Sequence, residues 1–383
     1  MKIHMQHSLT RLTCLAGILV SITSGLTEGR DRWSAEKANT WHAEQPWRVG
    51  CNFNPSTAIN QLEMWQVDSF DTKTIDRELG WAADLGLNSM RVYLHNLLWT
   101  QDAKGFLKRV DQFLAIADKH GINIMLVPLD GVWDPHPRLG QQRVPKPHRH
   151  NSGWLQAPGA EILADSKRHA ELEPYIRGLV KRFANDKRIY AWDVYNEPDN
   201  PNANSYGENG DKSELPPKVK AAMATKLLAR VFEWARTENP SQPLTAGVWM
   251  GPWPNHSKLE PHEKIMLEQS DVISFHNYGG LEHVKPRVEQ LKLYGRPILC
   301  TEYMARPNGS RFNPVMGYFK KENIPAYNWG FVAGKTQTNY PWDSWHNKYT
   351  AEPKEWFHEI LRRNGKPYRA TEVQYIRSLT GRK

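Results

Sequence analysis

The chain has 383 residues and a formal net charge of +9 at pH 7, a length that allows one large α/β barrel or two average domains. The positive charge is scattered over pairs such as Lys181-Arg182, Lys320-Lys321 and Arg362-Arg363, which fall on expected outer helices. No basic stripe interleaved with aromatic residues appears, so a nucleic-acid-binding role has only the net charge behind it.

The first 28 residues read as an export signal. Lys2, His4, His7 and Arg11 form a basic start, Leu12 to Ile22 an apolar run, and Ser21, Ser24 and Gly25 supply small residues for cleavage. The apolar run is too short to span a membrane, which takes roughly 20 residues. The expected mature chain is residues 29–383, exported to the periplasm or the exterior, with no stable membrane insertion and one domain. Cys51 and Cys300 remain after cleavage. They fall on the first and seventh strands, which are not neighbours, so both are expected to be buried free thiols.

Eight strand-like runs follow in chain order: Arg48–Asn52, Ser89–Leu94, Asn123–Leu129, Tyr190–Tyr195, Leu244–Trp249, Val272–His276, Ile298–Glu302 and Ala326–Phe331. Between them apolar residues recur at helical spacing. Ile75-Leu79-Ala82-Leu85 mark the first helix, Phe106-Val110-Phe113-Leu114-Ala117 the second, and Leu172-Ile176-Leu179-Val180-Phe183 the third. Leu228-Val231-Phe232-Ala235, Ile265, Val284-Val288-Leu291 and Val315-Tyr318-Phe319 mark the next four, and Phe357, Ile360 and Leu361 are expected to form the last. Eight strand–helix repeats without a linker predict a single (β/α)₈ TIM barrel, with residues 30–46 covering its bottom or an edge. Two long loops, Gly131–Pro158 and Asp199–Pro217, leave C-terminal strand ends, where such barrels place their chemistry. His136, His148 and His150 in the first loop match no compact ligand spacing, so no metal is expected there and no cofactor is required.

Two glutamates stand at strand ends. Glu197 follows Trp192-Asp193-Val194-Tyr195-Asn196, and Glu302 follows Ile298-Leu299-Cys300-Thr301. Two carboxylates at equivalent points of separate repeats fit glycosidic bond cleavage, one as proton donor and the other as nucleophile or base. Glu197 needs a partly apolar setting to stay protonated, which Trp192 and Tyr195 offer, and Asn196 beside it can bond a sugar 2-hydroxyl. Glu302 must stay ionised, with Arg91 and Tyr278 as expected partners. The 16 Trp and 14 Tyr offer flat apolar faces for core packing or for sugar rings. Trp329 is the expected floor under the reacting sugar, with Trp133, Trp342, Trp345, Trp249, Trp253 and Trp65 as weaker candidates for flanking positions. The expected partner is a carbohydrate substrate; oligomeric state is not written in the sequence. The rival reading is a carbohydrate-binding barrel that no longer cleaves, which would be expected to have lost one of the carboxylates.

Taken together, Asn196-Glu197, Glu302, Arg91, His276-Asn277-Tyr278 and Trp329 occur in the strand order of the clan A glycoside hydrolases. The chain most resembles family five, the cellulase and mannanase family. The resemblance covers essentially the whole mature chain. It implies a retaining hydrolase with Glu197 as acid/base, Glu302 as nucleophile, and Arg91, Asn196, His276, Tyr278 and Trp329 binding substrate. Many members carry a histidine near the end of strand three, where this chain reads Pro128-Leu129-Asp130-Gly131; His95 is expected to take over part of that role. Glu63 and Trp65 after strand one are expected to close one end of the cleft, and Gly334–Thr338 to form a lid or subsite.

Overall fold

The computed structural model describes residues 29–202 and 215–382. The expected signal, residues 1–28, lies outside the described residues, as does most of the loop expected at Asp199–Pro217. Eight parallel strands alternate with helices: β1 Val49–Asn52, β2 Ser89–Tyr93, β3 Asn123–Val127, β4 Ile189–Asp193, β5 Leu244–Thr245, β6 Ile273–Asn277, β7 Ile298–Tyr303 and β8 Ala326–Trp329. Their order is β5-β4-β3-β2-β1-β8-β7-β6, and the pairing of Val248 with Phe275 draws β5 and β6 together, closing a (β/α)₈ barrel. Among the described residues no helix is long and apolar enough to cross a membrane.

The two-residue period of each strand sorts its side chains between the barrel interior and the helical layer. Met90 and Val92 on β2, Ile124 and Leu126 on β3 and Trp192 on β4 face outward into the main core. Met125, Ala191, Leu299 and Tyr327 face inward and pack with Trp33 at the bottom of the barrel. On β2 the inward set is Ser89, Arg91 and Tyr93. Moving up the barrel, this line turns from a hydroxyl bonded to Tyr327 (2.8 Å) to a guanidinium and a phenol in the mouth.

The segment before β1 closes the bottom, as the sequence led one to expect. Asp271 is fully buried there. Its carboxylate accepts from Arg30 Nη2 (2.6 Å), the Trp33 amide (2.8 Å) and the Leu244 amide (2.8 Å). At the other end of the chain, helix Ala370–Thr380 docks beside the first barrel helix, Thr72–Asp84, where Thr380 bonds the Leu85 carbonyl (2.7 Å).

The helix expected at Phe357–Leu361 does not form. Those residues are buried but irregular, and Glu359 has φ +64°, outside any helix. Three apolar residues at helical spacing were not enough, because Arg306 takes the His358 and Glu359 carbonyls, which pins the backbone open. Cys51 and Cys300 are buried free thiols.

Asp271→Ala removes one charge of a buried pair and orphans two backbone amides. It is expected to lower the unfolding free energy by about 3–5 kcal/mol, read as a lower denaturant midpoint at unchanged slope.

Candidate active site

The site is assembled from residues on or just after all eight strands. After β3 and β4 the chain makes a second, two-residue parallel pairing, Leu129-Asp130 with Tyr195-Asn196. This carries Asp130 and Asn196 past the barrel rim side by side. Gly131 follows, where a side chain would put a Cβ 2.1 Å from the Glu197 carbonyl oxygen. Glu197 itself has φ +36°, a conformation that non-glycine residues rarely adopt and that marks functional strain. Its turn redirects the side chain from the strand line into the mouth.

Arg91 is the centre of the mouth and is fully buried. Its Nη1 donates to Asn52 Oδ1 (2.7 Å) and Glu302 Oε1 (2.7 Å), its Nη2 to Asn196 Oδ1 (2.8 Å), and its Nε to Asp193 Oδ2 (3.0 Å). One guanidinium thus ties together β1, β2, β4 and β7. Asn196 then gives its amide hydrogen to Asp130 Oδ1 (2.9 Å), which fixes which way the amide points. Asp130 also accepts from Trp154 Nε1 (2.6 Å), and burial pushes its pKa up to about 7.

The two glutamates sit in opposite environments. Glu302 accepts from Arg91, from Tyr93 OH (2.7 Å) and from Tyr278 OH (2.6 Å). Burial alone would raise its pKa, but the His276 and Arg91 charges and the two phenol bonds outweigh it, so its carboxyl lies below the usual value. Glu197 accepts from Asn200 Nδ2 (2.7 Å) and meets His276 Nδ1 (2.7 Å). Burial holds its carboxyl above the usual value despite His276, and the Glu302 charge adds to that rise. Burial opposes charge on His276, but Glu302 and Glu197 together raise its pKa. The three groups titrate as a linked set.

Glu197, His276 and Glu302 each offer a ligand atom within 4.8 Å of the others. The donor set does not fit a cation well, because both Glu302 oxygens are already held, Oε1 by Arg91 (2.7 Å) and Oε2 by the Tyr278 hydroxyl (2.6 Å). The arrangement suits a proton shared along carboxyl–imidazole–carboxylate.

A pocket of about 450 Å³ opens over these groups, within the range of roughly 300–1,000 Å³ usual for small-ligand sites. Asn196, Glu197, His276, Tyr278, Glu302, Trp329 and Trp133 line it, as do Trp249 and Trp342. Arg91 lies beneath this surface, bonded to Glu302 and Asn196.

Other expectations are corrected. His95 is fully buried away from the pocket, where it caps helix Asn96–Lys119 through its Nδ1 and meets the Gln156 carbonyl. Asp130, not His95, supports Asn196. Trp65 is a core residue whose Nε1 bonds the Tyr93 carbonyl (2.8 Å), and Glu63 bonds the Ile59 amide and Lys335, so neither closes a cleft. Trp253 is buried with its Nε1 on Glu263 (3.0 Å). Trp345 packs against Trp133 (5.9 Å between ring centres). The Gly334–Thr338 stretch braces the loop after β3 through the Thr336 carbonyl and Gln337.

Sequence reasoning missed Tyr93, Asn52, Asp130, Asp193, Asn200 and the pocket-lining His358, and named His150, which also lines the pocket, only as an unlikely metal ligand. The two-residue period from Arg91 was a usable signal for Tyr93 alone.

Comparison with known proteins gives a consistent picture. A model of the cellulase family, glycosyl hydrolase family 5, matches residues 50–368. A mannan endo-1,4-beta-mannosidase F from Aspergillus clavatus is 26% identical over 95 residues, a match covering 24% of this chain and 19% of that protein. The chain therefore spans under a fifth of the curated relative's length in the matched region. Among solved structures, GH5_18 from Streptomyces cattleya in complex with GlcNAc superposes with TM-score 0.56 at 14% identity, covering 88% of this chain and 81% of that one. A beta-1,4-D-mannanase from Cryptopygus antarcticus gives 0.55 at 12% identity, covering 87% and 90%. An exo-beta-1,4-mannosidase from an Opitutaceae bacterium gives 0.55 at 15% identity, covering 88% and 60%. At these identities the superpositions speak for the fold.

Arg91→Leu would strand Glu302 and Asp193 as buried carboxylates with their guanidinium gone. The expected loss is about 3–5 kcal/mol of stability at neutral pH, and it should shrink as the pH falls and the stranded carboxylates protonate. Denaturant unfolding of both proteins across pH checks magnitude and sign.

Proposed function

We propose that this chain, which belongs to glycosyl hydrolase family 5, is a retaining β-glycosidase with Glu302 as nucleophile and Glu197 as acid/base. Family membership gives the coarser statement, a glycoside hydrolase with a carbohydrate substrate. The roles rest on one observation: the two carboxyls share a pocket, and only Glu302 is held by a guanidinium and two phenols. A nucleophile must be ionised and an acid protonated, and the opposite pKa shifts match that division.

In the first step a Glu302 oxygen attacks the anomeric carbon while Glu197 gives its proton to the departing glycosidic oxygen. The product is a sugar esterified to Glu302. As Glu197 ionises, the proton on His276 Nδ1 is placed to stabilise it. In the second step Glu197 takes a proton from water, whose oxygen attacks the same carbon and frees Glu302. Retention requires carboxyl groups about 5–5.5 Å apart, against roughly 6.5–9.5 Å for inversion. Ligand oxygens of Glu197 and Glu302 within 4.8 Å of each other support retention.

Asn196 has its oxygen on Arg91 and one amide hydrogen on Asp130, leaving the second hydrogen for the sugar 2-hydroxyl. Trp329 lines the pocket beside Glu302, which suits it as the sugar platform. The mannan-directed names of the relatives support a β-1,4-linked manno-configured substrate. The basic start and apolar run at residues 1–28 support export as the route to such a substrate.

Glu302→Ala is expected to abolish turnover of every substrate. Glu197→Ala should cost about 10²–10⁴-fold in kcat/KM on substrates with poor leaving groups. On activated aryl glycosides it should accumulate the glycosyl-enzyme and be rescued by azide. A fall of equal size on both substrate types would remove the acid role from Glu197. The pH profile of kcat/KM should be bell-shaped, its acid limb below the usual glutamate value (Glu302 protonating) and its alkaline limb above it (Glu197 losing its proton).

A further inference from the structure

The loop leaving β3 crosses the barrel mouth and locks onto the segment leaving β8. In the barrel order β8-β1-β2-β3, that crossing passes over β1 and β2. The Asn151 amide donates to the Thr336 carbonyl (2.7 Å), the His148 amide to Gln337 Oε1 (2.8 Å), and Gln337 Nε2 to the Lys146 carbonyl (2.7 Å). Further along, the His150 amide donates to Ser344 Oγ (2.9 Å), Arg149 Nη1 to the Ser344 carbonyl (2.7 Å), and Trp345 Nε1 to the His150 carbonyl (2.8 Å). Under this seam Trp154 packs edge-on against both Tyr93 (5.2 Å) and Trp329 (5.8 Å).

The wall continues at both ends. Toward β6, Trp342 packs edge-on against Tyr278 (5.1 Å). Toward β4, Asn202 bonds the Trp133 amide (2.9 Å) and carbonyl (3.1 Å). Among the described residues, the stretch of pocket lining outside this seam is at Asn200, Trp249 and His283, after β4, β5 and β6, where the tie between loops is Trp249 Nε1 to Asp199 (3.0 Å).

Chemistry then orients the substrate. The acid must touch the oxygen of the leaving group, and Glu197 stands at the end of β4, bonded to Asn200 on the side outside the seam. The sugar that becomes attached to Glu302 must therefore lie toward Trp329 and the wall. At that wall two histidines face each other with ring centres 5.4 Å apart. His150 gives its Nδ1 hydrogen to the Tyr340 carbonyl (2.7 Å), and His358 gives its own to the Met304 carbonyl (2.5 Å). Burial keeps both rings neutral, His150 at about 4 and His358 well below the usual value. Each ring is left with Nε2, which can only accept. An acceptor is satisfied by a free hydroxyl, whereas an oxygen already carrying another sugar has no hydrogen to give.

We infer that the pocket is blind at the end receiving the non-reducing sugar, so the enzyme removes single terminal residues from chain ends, with His150 and His358 reading that sugar's free hydroxyls. This deepens the Glu197/Glu302 assignment and rests on it.

The test uses wild-type protein on 4-nitrophenyl β-1,4-mannobioside, free and with a 4-O-methyl cap on its non-reducing sugar, beside the gluco and xylo analogues. Mannohexaitol is digested in parallel, with Glu302→Ala as control. The expected result is cleavage of the free glycoside, a loss of roughly 10²-fold or more on capping, and a monosaccharide as the first product of the hexaitol. Equal rates on free and capped glycosides, or early release of mixed oligosaccharides with Glu302→Ala inert, would overturn the blind pocket and leave the glycosidase assignment standing. Inactivity of wild type on all three sugar series would overturn both.

Discussion

The site depends on one buried cation. Arg91 reaches Asn52, Asp193, Asn196 and Glu302 from the middle of β2, so a single side chain sets the mutual positions of groups from four strands. A guanidinium suits this because its planar fork presents several donors in fixed directions. Burying it is costly unless every partner is in place. The network is therefore all-or-none: the same contacts that make Arg91 tolerable hold Glu302 ionised and Asn196 turned outward.

Charge balance then separates the two glutamates. Arg91 and a protonated His276 offset Asp193 and Glu302. A third ionised carboxylate, at Glu197, would leave the buried cluster with an excess negative charge, one of its oxygens lying within 4.8 Å of a Glu302 oxygen. Keeping Glu197 protonated avoids this. Two identical side chains in one pocket are thus pushed in opposite directions by their neighbours, which suits the proposed acid and nucleophile roles.

The barrel was legible because each strand is a short apolar run bounded by a helix with a clear inner face. Glu197 and Glu302 were legible because each ends such a run. The misreadings have physical causes. Trp65 and Trp253 counted as sugar platforms because an indole in sequence carries no sign of whether its face meets a helix or a pocket. His95 sits just past β2, where the chain has left the strand and the side chain is taken up in capping the next helix. Asp130 took the position expected of a histidine because the extra pairing of Leu129-Asp130 with Tyr195-Asn196 carries it beside Asn196, and pairing between distant segments leaves no local pattern. His150 and His358 lie in irregular segments that meet only after folding.

The direct test of the account is a titration of the two carboxyls themselves. Protein labelled with carbon-13 at glutamate side-chain carboxyls would be followed by NMR across pH, with Glu197→Gln and Glu302→Gln used to assign the signals. The account predicts that the Glu302 signal titrates below the ordinary glutamate value and the Glu197 signal above it, each moving when the other is neutralised. Ordinary values for both, or the reverse order, would contradict it.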